Sequence, residues 1–185
     1  QFLIKLRNIN TFNLLSLVNH LQSNSKIDFI EPNFIRLITP HTNDPFFSSQ
    51  WTINNQGYLG GTADADMDVE EAWSLATGSG VNVAVIDTGV DLTHPDLASN
   101  LLSGYDATGG NSNGNHTGNP HGTACAGIIS AISDNNIGVT GVAYNTKIIP
   151  VKVFPASGSP SNNMWANGIT WGYQNGADIL SNSWG

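Results

Sequence analysis

The stretch VNVAVID, residues 81–87, is apolar on both of its alternating faces except for Asn82, and it closes on a carboxylate. A strand with so little polar surface is buried on both sides, as in parallel sheets covered by helices. The residues after it alternate to match. HGTACAGIISAI (121–132) reads as a helix and TKIIPVKVF (146–154) as a strand. NNMWANGITWGYQNG (162–176) reads as a second helix, and ADILSNSWG (177–185) enters a further strand. Strand–helix alternation of this kind predicts an α/β fold, a parallel sheet with helices on its faces. The helix at 121–132 carries no charge and is apolar on most sides, which predicts burial on most sides. In the helix at 162–176, Trp165, Ile169 and Tyr173 step by four, and Gly176 supplies a C-terminal cap.

Charge divides the chain. The net charge is −8 over 185 residues. Residues 1–40 hold Lys5, Arg7, Lys26 and Arg36 against Asp28 and Glu31, whereas residues 41–185 hold two basic residues against twelve acidic ones. The shift places a boundary near Pro40, inside the polar, Pro-rich TPHTNDP (39–45). Residues 1–38 read as a small unit: a strand (FLIKL), a helix (TFNLLSLVNHL) and an extended segment (KIDFIEPNFIRLI). That unit has too little core to be stable alone. An acidic main part excludes a nucleic-acid partner, whose phosphates require Lys and Arg. There is no run of 18 apolar residues, so no membrane span is expected. QFLIKL, broken by Lys5, is a poor signal-peptide core, and the expectation is a chain cut at its N-terminus. A single cysteine allows no internal disulfide.

In open parallel sheets, sites form outside the carboxyl ends of the strands. Asp87 stands there, followed by the turn residues Thr88 and Gly89. By itself an Asp in that place is as easily a loop-closing residue as a functional one. The pair Asp87 and His121 says more, because His121 opens the apolar helix 34 positions later. A carboxylate against an imidazole N–H fixes the tautomer and stabilises the imidazolium. The other ring nitrogen can then take a proton from a hydroxyl near neutral pH.

Together VAVIDTGVDLTHPDL (83–97) and HGTACAG (121–127) resemble the Asp and His motifs of the subtilisin-like serine proteases, and ILSNSWG (179–185) resembles the substrate-binding strand that follows them. The resemblance covers roughly residues 43–185. It implies an incomplete three-layer, subtilisin-like peptidase domain over 41–185. Residues 1–40 resemble the last part of the family's inhibitory propeptide, a small α+β remnant, above all in KIDFIEPNFIRLI. Carried over, Asp87 orients the imidazole and His121 is the general base. Ser183, Trp184 and Gly185 match the strand that pairs with substrate backbone and walls the first specificity pocket. The family's nucleophilic Ser, in a Gly-Thr-Ser-x-Ala-type motif, and its oxyanion Asn have no counterpart among these 185 residues. The expectation is a truncated sequence, inactive as it stands.

The resemblance also implies a structural Ca²⁺ held by Asp44, Asp96, Asn135 and the carbonyls of Ile137 and Val139. Hard oxygen ligands drawn from loops suit that ion. ADADMDVEEAW (63–73) mimics the first half of an EF-hand loop. It fails where the pattern needs Gly (Val69) and a final Glu (Leu75), and Asp68 with Glu71 reads instead as a helix N-cap and its partner. His94, His116 and His121 fit no zinc spacing. Cys125, one helical turn after His121, reads as a small packing residue on the same helix face.

The implied function is a secreted, extracellular serine endopeptidase acting on polypeptides, with its own propeptide as intramolecular inhibitor and cleavage between Ile38 and Asn43. NFIRLI, lying in the cleft as a product-like strand, would pair near Ser183. Two rivals stand beside it. One is a noncatalytic relative serving as a binding module. The other is an α/β metal-dependent hydrolase using Asp87, Asp91 and the histidines.

Overall fold

The computed structural model describes residues 11–30 and 42–185. The chain divides into two compact units, Gln1–Thr39 and Pro40–Gly185. In the first, helix α1 spans Thr11–Gln22. Turns at residues 23, 25 and 26 and a bend at 28 follow it, and residues 26–30 form no strand. The expected strand FLIKL, the segment NFIRLI and the cleavage region up to His41 lie outside the described residues.

The second unit is built on four parallel strands in the order β2-β3-β1-β4: β1 Asn82–Asp87, β2 Tyr105–Asp106, β3 Lys147–Lys152 and β4 Ile179–Ser181. Helices α2 (Val69–Ala72), α3 (His121–Ser130) and α4 (Asn162–Gln174) accompany them. Residues 83–87 of β1 are all buried, as a strand with neighbours on both edges and helices on both faces requires. Alternate residues serve opposite faces. Val83 and Val85, with Ile148, Val90 and Leu97, pack against Ala126 of α3. Ala84 and Ile86, with Ile149, Val151 and Val153, pack against Trp165 and Trp171 of α4. The sheet is therefore the middle of three layers, an incomplete α/β domain. A smaller cluster of Phe47, Ile53, Val69 and Trp73 packs against Val142 and Tyr144.

Three expectations change in detail. Helix α3 is buried along one face only, through Gly122, Ala126 and Ser130, while Ile128 is 66% exposed. Its small residues permit close approach to β1 instead of enclosure on every side. In α4, Ile169 and Tyr173 are exposed, and the face against the sheet is Gly168 and Gly172. A Cβ at Gly172 would meet Ala84 and Leu180 side chains at 3.2 Å, so the absent side chains are what let α4 lie flat on β1. Gly176 ends α4 at φ +87°, with the Ala177 N–H returning to the Gly172 carbonyl. Lastly, Asp68 precedes α2 at φ +52° and its side chain caps nothing. Asp66 organises that loop, accepting from the Asn55 N–H at 2.7 Å and the Asp68 N–H at 2.9 Å.

Candidate active site

Asp87 is the last residue of β1, and His121 the first of α3. His121 Nδ1 lies 2.8 Å from Asp87 Oδ1. The carboxylate is 1% exposed and the imidazole half exposed, so one partner is anchored inside the domain and the other faces outward. Asp87 Oδ1 also accepts the Thr88 N–H at 2.7 Å, and Oδ2 has no hydrogen-bond partner among the described residues. A carboxylate held this way aims its Oδ1 at the ring N–H and leaves Nε2 free to exchange a proton at the surface.

Two threonines fix this geometry, and the sequence reading passed over both. Thr88 Oγ1 accepts the Gly122 N–H at 3.0 Å and donates to the Asn119 carbonyl at 3.1 Å. From the helix side, Thr123 Oγ1 accepts the Asp91 N–H at 2.9 Å. Helix α3 has no side-chain cap at Pro120, so the hydroxyl of Thr88, from the neighbouring loop, satisfies one of its orphan donors. Asn119 Oδ1 takes the His121 N–H at 3.0 Å. Gly122 must be glycine, because a Cβ there would sit 3.0 Å from Asp87 Cβ and overlap the Gly89 carbonyl. The signal was available in the sequence: Thr88 directly follows Asp87, and Thr123 follows His121 by two. Nothing local, however, says that each reaches across to the other element.

Cys125 Sγ lies 3.9 Å from His121 Nδ1, and the residue is partly buried. Asp87, His121 and Cys125 offer one donor atom each within 4.8 Å of one another, the one such grouping among the described residues. His94 and His116 do not join it, so the histidines form no common metal cluster there. His94 Nδ1 instead accepts the Asp96 N–H at 3.3 Å. Asp91, the rival metal ligand, accepts from the Thr93 hydroxyl at 2.7 Å and its N–H at 2.9 Å, which lowers its carboxyl below the usual range.

Ser183, Trp184 and Gly185 follow β4 at the same end of the sheet as Asp87, because β4 runs parallel to β1. The Trp184 indole N–H donates to the Ile86 carbonyl at 2.7 Å, one residue before Asp87.

The residues expected to hold Ca²⁺ gather around the loop 134–140. Asp96 accepts from Asn135 Nδ2 at 2.8 Å and from the Val139 N–H at 3.0 Å. Asn135 Oδ1 takes the Ile137 N–H at 2.7 Å. Asp44 accepts from the Asp134 and Asn135 N–H groups, the Thr140 hydroxyl and the Thr42 hydroxyl. Burial raises the Asp44 carboxyl, but these hydrogen bonds more than offset it and leave it lowered. Asp44 and Asp96 are 5% and 2% exposed. The ion pairs among the described residues are Asp87–His121 and Asp106–Lys152, so neither buried carboxylate has a cationic partner there. Within the same residues no N–H donates to the Ile137 or Val139 carbonyls. Two buried charges and free carbonyls suit a hard cation, provided the Asn135 amide turns its oxygen toward Asp96.

Comparison with known proteins identifies the family. Residues 78–185 match the subtilase family of peptidases. The chain belongs to the subtilase family. It is 38% identical over 143 residues to thermitase of Thermoactinomyces vulgaris, covering 77% of this chain and 47% of that protein. A calcium-dependent protease of Nostoc sp. is 34% identical over 176 residues, covering 93% of this chain and 25% of its own length. Among solved structures, that of a protease from Pseudoalteromonas arctica superposes with a TM-score of 0.62 at 32% identity, covering 78% of this chain and 50% of the other. The chain thus spans half or less of the length of the subtilases it matches.

Proposed function

We propose that residues 41–185 are the N-terminal part of the catalytic domain of a secreted serine endopeptidase, and residues 1–40 the end of its inhibitory propeptide. The observation that carries the reading is the 2.8 Å contact between a buried Asp87 and an outward-facing His121, at the carboxyl end of the central strand of a subtilase chain. Asp87 accepts the Nδ1 proton of His121. Nε2 takes the proton of a serine hydroxyl supplied from beyond residue 185, while that oxygen attacks the substrate carbonyl. The imidazolium then returns its proton to the leaving amine, and the acyl-enzyme is hydrolysed by the same exchange with water.

Ser183–Gly185 pair with the backbone of a polypeptide substrate. Among the described residues no helix is long and apolar enough to cross a membrane. Asp44, Asp96, Asn135 and the Ile137 and Val139 carbonyls would hold a Ca²⁺, which would neutralise two buried carboxylates and tie residues 42–50 to the loop 134–140. The test is hydrolysis of a denatured protein by the full-length parent. His121→Ala abolishes activity at unchanged thermal stability. Full activity in that variant overturns the reading.

A further inference from the structure

The ladder between β1 and β4 ends at Val85 and Ser181. On that edge of β1 the acceptors are residues 82, 84 and 86, as the Asp178 N–H donating to the Asn82 carbonyl shows. Ile86 is therefore the next acceptor in line, and it is fully buried. No backbone donor from residues 182–185 reaches it. The chain has left the sheet, and Asn182 turns its side-chain amide back on the Leu180 carbonyl at 3.2 Å. The indole N–H of Trp184 fills the vacant rung at 2.7 Å.

That indole is fixed from two further directions. It stacks on Trp165 of α4, with ring centroids 5.1 Å apart and planes at 21°. Its neighbour Phe154, just after β3, meets it edge to face at 5.8 Å and 79°. One side chain thus connects the segment 182–185 to β1, to α4 and to the end of β3. Its hydrogen bond is made one residue from Asp87.

We propose that Trp184 is a positioning residue. Its indole N–H sets where the Ser183–Gly185 backbone lies relative to the Asp87–His121 pair, and so aligns an extended substrate with the reacting centre. Trp184 does this through the backbone of its own segment and touches neither the scissile bond nor the imidazole. The inference rests on the reading of Ser183–Gly185 as the substrate strand. An extended peptide, held by several backbone hydrogen bonds along that strand, depends on its register, whereas a single-residue ester depends on it little. Losing the indole donor therefore weakens long substrates more than short ones.

The experiment compares a tetrapeptide amide with a single-residue ester on the full-length parent, in the wild type and in Trp184→Phe. It adds a variant with benzothienylalanine at 184, which replaces the N–H by sulfur and keeps the fused ring. The ratio of kcat/KM, tetrapeptide over ester, is expected to fall roughly three- to tenfold in both variants, the size of one neutral hydrogen bond. The fall is carried by KM. Loss of both substrates in the same proportion, or a ratio within experimental error of wild type, overturns the positioning role. The second variant keeps the test decisive if the smaller ring of Phe destabilises the fold. Wild-type protein that cleaves neither substrate overturns the endopeptidase reading instead, so the two failures are distinct.

Discussion

Asp87 and His121 are 34 positions apart in sequence, yet Oδ1 of one and Nδ1 of the other are 2.8 Å apart because β1 ends where α3 begins. The buried member is the carboxylate, so the pair is anchored from the strand side. Asp87→Asn in the full-length parent preserves the shape but presents an amide to the ring and selects the wrong tautomer. The expected result is a fall in kcat of about 10⁴, the size this substitution has in Ser-His-Asp triads generally. Steady-state kinetics checks it, with KM changing little.

Thr88→Val removes the oxygen that accepts the Gly122 N–H and donates to the Asn119 carbonyl. The expected cost is about 1–2 kcal/mol of stability for the unmade bonds. A further loss of up to about 100-fold in kcat/KM comes from a displaced imidazole. Thr88→Ser restores both. Chemical denaturation and kinetics on the three proteins separate the two effects.

Asp106 gives a pH dependence with a definite sign. Burial raises its carboxyl, but the Ser112 and Thr108 hydrogen bonds and the Lys152 charge more than compensate, and the net effect is lowered. A folded-state value below the unfolded one contributes stability above the unfolded carboxyl range. That contribution is lost as pH falls through the lower folded value. Lys152 is 4% exposed and 3.6 Å from Asp106, so Asp106→Asn strands a buried ammonium. At pH 6 the variant is expected to lose roughly 3 kcal/mol. The gap to wild type narrows as pH falls from the ordinary carboxyl range, where the unfolded chain takes up its proton, towards the lower folded value of Asp106. Melting temperature measured from pH 3 to 7 on both proteins checks this.

Calcium chelation is expected to lower the melting temperature of the full-length parent, and added Ca²⁺ to restore it. Asp96→Asn removes a ligand charge and abolishes the Ca²⁺-dependent part of that shift. A melting temperature indifferent to Ca²⁺ in the wild type removes the ion from the account.

The sequence was most readable where burial is two-sided and contiguous. VNVAVID reads as a strand buried on both faces, and the expected helices and strands after it fall within a few residues of their limits, whereas the two-residue strand β2, Tyr105–Asp106, was not anticipated because so short a segment carries no periodicity. What could not be read was which face of a helix meets the sheet when the contact is made by glycine. In α4 the apolar stepping of Ile169 and Tyr173 points away from the core, because Gly168 lets the helix backbone settle on Val153 and Val151, and Gly172 on Ala84 and Leu180. Asp68 has the chemistry of an N-cap, but it stands in a left-handed backbone conformation and its side chain makes no cap hydrogen bond to α2. At the candidate site, Asp87 and His121 were legible from their motifs. The Thr88 and Thr123 clamps and the Trp184 rung were not, since each is a contact between segments about 30 or more residues apart.

The most direct measurement is covalent labelling of the full-length parent with a fluorophosphonate, followed by peptide mapping. The account predicts one labelled serine, located beyond residue 185, with labelling lost in His121→Ala. Labelling that persists without His121, or hydrolysis with no labelled serine, would contradict it.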